Sequence, residues 1–387
     1  MTTAPARRCF ALYLHVPYCR SKCPYCDFNS YAATSWPEER YAQALVEELR
    51  CRSAEAPWRG ALVDTIFFGG GTPSLFRPST IGGILDAVAR LFPLATPVEV
   101  TLEANPGTVT QPHLAGLRSA GVDRLSLGIQ SFQPQVLDTL GRIHGVEEAR
   151  DAITAARSAG FENLSLDLIF GVPGQTRAAW AADVAELLRH APEHVSAYGL
   201  TYEPGTPFHA RRAHGALTAA GEDDELWMYQ HARQELAAAS YAQYEISSFA
   251  RPGRAARHNR HYWRGSDYLG LGAGAHSYAS TPGWGRRWAN EREPERYMQA
   301  VARGDAVATR EDLSPETAAA EFVFLGLRET SGIDPETFRA RFGRALEEVH
   351  PEITAFRDQG FLAERDGCLA LSERGLPVAD TLFAAFV

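Results

Sequence analysis

Along the first two hundred residues, short runs of alternating or continuous apolar positions are separated by amphipathic stretches of helical length. Six runs predict strands, at 11–16, 63–68, 98–103, 124–129, 163–169 and 194–200. Between them, 37–53, 78–91, 111–120, 146–159 and 178–190 read as helices, several opened by Pro, Thr or Ser. Strand–helix repetition of this kind predicts a parallel sheet. Six units fall short of the eight that close a barrel. The expected fold is therefore α/β, a partial (β/α)6 barrel, with function gathered where strands end and loops begin. After residue 204 the alternation lapses into a helical stretch at 223–239. A segment rich in Gly, Arg and aromatics follows at 247–288 and reads as loops with functional content. From 314 helices resume, with short apolar runs at 361–363 and 368–371 around an Asp366-Gly367 turn. The expected division is a barrel over 1–240, a linking segment over 241–304 and a small, winged-helix-like α/β domain over 305–387.

Composition narrows the class. In 387 residues, 45% hydrophobic, 10% aromatic and 22% charged side chains describe a folded globular chain. Thirty-eight Lys and Arg against forty-seven Asp and Glu give a net charge of -9, which argues against nucleic-acid binding through the whole surface. No apolar run approaches the roughly 20 residues that span a bilayer. The first ten residues lack the apolar core of a signal peptide, so a cytoplasmic protein with at most transient membrane association is expected. Six cysteines are too sparse for a disulfide framework, yet three fall within eight positions.

Those three, Cys19, Cys23 and Cys26, lie in HVPYCRSKCPYCDF, directly after the first predicted strand. Soft thiolates select iron–sulfur clusters, zinc or copper(I). Three cysteines on one loop can hold three corners of a cubane and leave the fourth iron open to a small molecule. Zinc completed by His15, or three unrelated thiols, are the bland alternatives. Cys9, Cys51 and Cys368 stand alone as idle thiols. Glycines in FFGGGTP end the second predicted strand, where backbone can approach a ligand closely. Glu103 in LEANP, Gln130 in GIQSF, Asp167 in LSLDLIF and Arg142 in LGRIH bring polar groups to the same predicted face. Each could be a strand cap or ion pair; together they offer partners for ribose, base and carboxylate. Residues 251–265, RPGRAARHNRHYWRG, concentrate five arginines, two histidines, a Tyr and a Trp. This is either a solvated basic loop around a tucked Trp263, or a site for a flat anionic ligand or RNA. Residues 284–288, WGRRW, share its character without a motif.

The cysteine spacing, with Tyr25 before the third cysteine, resembles the radical S-adenosylmethionine (SAM) enzymes, and the strand-end residues match their coproporphyrinogen III oxidase-like branch. The resemblance implies a 4Fe-4S cluster on Cys19, Cys23 and Cys26. It implies SAM held by Tyr13, Tyr25, Gly70, Gly71, Thr72, Glu103, Gln130, Arg142 and Asp167. It covers nearly the whole chain, with a HemN-type C-terminal domain over 305–387, and is nearest to the HemW-type haem chaperones. Their H-N-x-x-Y-W motif corresponds to His258, Asn259, Tyr262 and Trp263, implying haem as bound cargo handed to acceptors such as respiratory cytochromes. Two departures separate the chain from the branch's oxidative decarboxylases. Phe28 stands where those have a further cysteine, and only about ten residues precede the first strand. Decarboxylation of coproporphyrinogen III is the second reading, and a radical SAM RNA-modifying enzyme the third.

Overall fold

All six strands expected from the apolar pattern form, and their neighbours explain why. A computed structural model describes residues 8–386, so most of the stretch read for a signal peptide lies outside the described residues. The strands are β1 (Cys9–Val16), β2 (Tyr18–Cys19), β3 (Tyr31–Ala32), β4 (Leu62–Gly70), β5 (Leu94–Ala104), β6 (Arg124–Gln130), β7 (Leu164–Phe170) and β8 (His194–Gly199). Helices α1 (Glu38–Ser53), α2 (Pro78–Leu91), α3 (Gln111–Ser119), α4 (Pro134–Thr139), α5 (Val146–Ser158) and α6 (Arg177–Arg189) alternate with them. β1, β4, β5, β6, β7 and β8 are consecutive parallel neighbours. Phe10, Leu12, Leu14, Ile66, Phe68, Leu102, Leu125 and Leu166 are fully buried, as a parallel sheet covered on both faces requires.

The sheet runs on past the sixth unit. After α7 (Pro207–Ala213) and α8 (Glu222–Ala238) come β9 (Ala242–Gln243), β10 (Ser248–Ala250), α9 (Arg257–Trp263), β11 (Tyr268–Leu271), β12 (His276–Ala279), β13 (Arg286–Asn290), α10 (Pro294–Ala302) and β14 (Val307–Asp312). β11 lies parallel beside β1, with Ala11 opposite Tyr268, as a seventh parallel strand. β12, β13 and β14 extend that edge antiparallel, and β10 and β9 extend the other, giving 12 strands. The reading of 247–288 as loops is corrected. Its strands are too short to display a period, and their Gly and Arg have local causes. A Cβ on Gly270 would stand 2.1 Å from the His276 carbonyl oxygen. Arg286 and Arg287 pair across to Asp312 and Glu311 on β14.

The C-terminal part comprises α11 (Pro315–Gly326), α12 (Pro335–Phe342), α13 (Leu346–Val349), α14 (Glu352–Asp358) and a hairpin of β15 (Leu362–Arg365) and β16 (Cys368–Leu371). Asp366 and Gly367 turn it with φ of 50° and 80°, the positive values that an Asp-Gly hairpin turn demands. It is tied to the sheet through the Thr330 N–H on the Tyr244 carbonyl (3.0 Å) and through Glu329, held by Arg260 of α9 and by Arg264 directly after it. Among the described residues no helix is long and apolar enough to cross a membrane.

Candidate functional site

Parallel strands point their C-terminal ends to one side, and the cysteine loop leaves β1 at that mouth. Short β2–β3 pairing closes the loop's base, while Lys22 Nζ donates to the carbonyls of Phe28 (3.0 Å) and Ser30 (3.1 Å). Asn29 Nδ2 ties the loop to the carbonyls of Ala273 and Arg292. His15 belongs to this scaffold. Its Nδ1 pairs with the Tyr13 hydroxyl at 2.9 Å and its Nε2 with the Asn29 carbonyl at 2.8 Å, and burial pulls its pKa down to about 4. Neither nitrogen is left for zinc. Among the described residues no three His, Cys, Asp or Glu side chains stand at the spacing of a single metal ion. Three free thiols on one loop, Cys19, Cys23 and Cys26, are the donor type of an iron–sulfur cluster.

Glycine at the end of β4 is a packing requirement. Cβ atoms at Gly70 and Gly71 would come within 2.6 Å of the His15 ring and of the Tyr18 carbonyl, and the one on Gly71 within 3.0 Å of Cys19 Sγ. The two bare backbones let the cysteine loop close over the strand end.

All three sulfurs have hydrogen-bond partners, Cys26 Sγ lying 4.0 Å from Ser30 Oγ. Thr72 Oγ1 donates to Cys19 Sγ at 3.5 Å, and Arg142 Nη1 donates to Cys23 Sγ at 3.4 Å. Asn105 joins these two contacts: its Nδ2 donates to Thr72 Oγ1 (2.9 Å), and its Oδ1 accepts from Arg142 Nη2 (2.5 Å). Sequence reasoning missed Asn105, because the Asn of LEANP reads as an ordinary loop residue; only its place after Glu103 hinted at the mouth. Burial pushes the Cys19 and Cys26 thiols up. Positive charge is thus supplied next to Cys23, whose sulfur is the one Arg142 touches.

The polar residues on successive strands converge in the barrel interior. Glu103 accepts the Gly70 N–H at 3.0 Å; burial and then the nearby Asp167 raise its pKa to about 8. Asp167 accepts from Ser126 Oγ (2.8 Å) and Ser165 Oγ (2.9 Å), while burial still raises its carboxyl. Gln130 sits at the register shift between β6 and β7 with φ of 68°, a conformation costing about 1 kcal/mol or more outside glycine. Its Oε1 is buried and has no partner. An unsatisfied buried oxygen on a strained residue at a strand end is a local mark of a ligand position. Tyr25 packs on Phe208 at 6.3 Å beside Arg142 and Cys23. Tyr13 lies deeper, its ring stacked on Phe67 at 6.1 Å and bonded to His15, so it belongs to the wall beneath the mouth.

The second predicted ligand motif is elsewhere and is differently built. His258, Asn259, Tyr262 and Trp263 all lie on α9, which plugs the barrel toward the N-terminal ends of β4 and β5. His258 is 1% exposed; its Nδ1 meets Thr65 Oγ1 at 2.8 Å, its Nε2 meets the Tyr262 hydroxyl at 2.8 Å, and its backbone N–H meets Glu99 Oε1 at 3.1 Å. Burial drives its pKa down to about 3. In this conformation both ring nitrogens of His258 are taken. Tyr262 is its partner, Trp263 stacks under Arg328 at 4.4 Å, and Asn259 sits half-buried on the helix between them. Four of the segment's five arginines are committed as well. Arg257 pairs with Asp64, Arg260 and Arg264 with Glu329, and Arg251 lies over Tyr241. Burial would raise Glu329, but the two guanidinium groups outweigh it and hold the carboxyl low.

Residues 13–187 match the radical SAM superfamily, and residues 313–378 match the HemN C-terminal domain. The barrel with its three-cysteine mouth is thus that of a radical SAM protein. Among solved structures, the coproporphyrinogen III oxidase HemN of Escherichia coli shares this fold with a TM-score of 0.82 at 22% identity, covering 100% of this chain and 91% of that one. Sequence relatives are more specific. Heme chaperone HemW of Escherichia coli is 37% identical over 381 residues, 97% of this chain and 98% of that protein. Heme chaperone HemW of Bacillus subtilis is 34% identical, covering 97% and 98%. The bovine radical S-adenosyl methionine domain-containing protein 1, mitochondrial, is 36% identical over 99% of this chain and 88% of its own. The chain belongs to the HemW family.

Proposed function

We propose that this protein is a haem chaperone that holds a 4Fe-4S cluster on Cys19, Cys23 and Cys26, binds SAM at the barrel mouth, and delivers haem to acceptor proteins such as respiratory cytochromes. The observation that carries the reading is full-length likeness to HemW proteins, joined to a mouth with three free thiols. A cluster held by Cys19, Cys23 and Cys26 would supply electrons to a bound SAM. The chain's own residues do the rest. Thr72 and Arg142 donate to ligand sulfurs, Asn105 fixes both donors, and Gln130 Oε1 is left for a donor on SAM. Glu103, protonated at neutral pH by its raised pKa, can donate as well as accept.

Exposed Phe28 occupies the position of the decarboxylases' additional cysteine, so turnover of coproporphyrinogen III is not expected. The test uses anaerobically reconstituted protein supplied with SAM, a reductant, and either haem or coproporphyrinogen III. A Soret shift with haem and no protoporphyrinogen IX supports the chaperone. Turnover near one per second, an ordinary enzymatic rate, replaces it with the decarboxylase.

A further inference from the structure

If haem is the cargo, a flat apolar ring with two carboxylates must find a place on the chain. On α9, His258 is engaged by Thr65 and Tyr262 on the barrel side. Trp263, the last residue of the same helix, lies against the C-terminal part instead. With Arg264 it forms one wall of a cavity of about 290 Å³, and the other wall comes from Phe322 of α11, from Ile333 and Asp334, and from Thr337 of α12. That volume is close to the roughly 300 Å³ at which pockets begin to take organic ligands.

The polar groups around this cavity that remain unmatched are donors. Glu329 is held by Arg260 and Arg264 and accepts from Ser331. Asp334 caps α12, its two oxygens accepting the N–H groups of Glu336 and Thr337. Both carboxylates are thus occupied. The indole N–H of Trp263, by contrast, is buried without a partner. Arg328 lies over that indole at 4.4 Å; its Nε is also unpartnered, and its ion-pair contact with Glu245 is long, at 3.9 Å. Arg341 lies over Phe322 at 5.9 Å and donates to the Tyr278 hydroxyl at 3.1 Å, with no ion pair among the described residues. Each aromatic wall of the cavity therefore carries a guanidinium short of a carboxylate. Buried donors without acceptors mark a place where a ligand supplies them. Aromatic surface beside such guanidinium groups suits a flat ring that bears carboxylates.

We propose that haem lies in this cleft, its ring against Trp263 and Phe322 and its propionates on Arg328 and Arg341, so that the C-terminal part supplies the second wall of the cargo site. This rests on the haem-chaperone reading, and it carries the site beyond the helix that holds the sequence motif. The two sides of α9 then divide the work: His258 closes the barrel floor, and Trp263 faces the cargo. A macrocycle is larger than the cavity, so one edge stays in solvent, where an acceptor protein can take it.

The experiment titrates reconstituted full-length protein with ferric haem and follows the Soret band. Wild type is compared with two cleft variants and one mouth variant. Arg341→Gln removes a guanidinium without breaking an ion pair, and Ser331→Trp fills the cavity from the exposed loop before α12. Arg211→Gln/Arg212→Gln alters exposed arginines of α7, which is seated on the cysteine loop through the Phe208 N–H on the Pro24 carbonyl. Expected is a Kd raised about tenfold or more in each cleft variant, as loss of a hydrogen bond to a charged group implies, and wild-type affinity in the mouth variant. A retained iron–sulfur absorption band and unfolding midpoint show that each variant is folded. Wild-type affinity in both cleft variants, or weakened binding in the mouth variant instead, overturns the assignment and leaves the chaperone reading standing. No haem binding by wild type overturns both.

Discussion

The mouth and the floor of this barrel carry the same kinds of side chain, yet Gln130 at the mouth and His258 at the floor are satisfied in opposite ways. At the mouth, Gln130 keeps a partnerless buried oxygen in a strained conformation and the thiols of Cys19, Cys23 and Cys26 are uncoupled. At the floor, His258 spends every nitrogen on Thr65, Tyr262 and Glu99, and the arginines of α9 are matched to carboxylates. Buried polar groups are almost always satisfied. Satisfaction by the protein itself therefore argues for architecture at His258, whereas an orphaned atom, Gln130 Oε1 at the mouth or Trp263 Nε1 and His261 Nδ1 on α9, leaves something for a ligand to satisfy. Residue chemistry alone cannot make that distinction.

The largest expected effect tests the mouth. Replacing any one of Cys19, Cys23 or Cys26 by Ala should abolish the reconstituted cluster, read as iron content and absorption, with little change in unfolding midpoint. Cys9, Cys51 and Cys368 should be dispensable. Loss of the cluster on replacing Cys51, or zinc bound with no iron, would break the comparison at its first term.

At the floor the pattern should invert. His258→Ala strands the buried Thr65 hydroxyl and the half-buried Tyr262 hydroxyl, each worth about 1–3 kcal/mol, so denaturant unfolding should show roughly 3 kcal/mol lost. Cluster content and SAM affinity of the folded fraction should stay unchanged. A variant as stable as wild type would remove the structural role assigned to α9.

Next come the strand-end groups. Ala at Glu103, Arg142 or Asp167 should weaken SAM binding by about 1.5–3 kcal/mol, ten- to a hundredfold in calorimetry, without loss of cluster. Gln130→Gly sharpens the point, because it removes a ligand contact and relieves a positive φ together. It should bind SAM less well while gaining up to about 1 kcal/mol of stability. Equal SAM affinity in all four variants would make this set structural.

How far sequence reached follows the same division. The six parallel strands were legible because burial on both faces writes continuous apolar runs. β9 to β14 were not, since strands of two to six residues show no period and their Gly and Arg mimic loops. The thiols were legible from spacing. The role of Asn105 was hidden, because its partners Thr72 and Arg142 lie 33 and 37 residues away. The burial of His258 was hidden for a like reason: Thr65 and Glu99 lie 193 and 159 residues away, while the motif reads the same for a ligand and a plug.

The smallest effect is a difference in sign with pH. Burial lowers His258 to about 3, so between about 3 and its ordinary 6.5 the unfolded chain binds a proton that the folded chain refuses. Its contribution is complete above 6.5 and is lost as pH falls. Glu103 is raised to about 8, so between its ordinary 4.5 and 8 the folded chain holds a proton that the unfolded chain releases. Its contribution is complete below 4.5 and is lost as pH rises through 8. Between pH 7 and 6 the floor histidine should therefore cost about 0.7 kcal/mol relative to a His258→Gln variant. Between pH 7 and 8, where that histidine is mostly neutral in both states, Glu103→Gln should flatten a decline of at most about 1.4 kcal/mol per pH unit. Denaturant unfolding of the three proteins at pH 6, 7 and 8 reads both slopes. Slopes of the same sign at the two ends would mean that the mouth carboxyl is already ionised and paired, as the floor groups are, and the contrast between the two regions would then rest on the thiols and Gln130 alone.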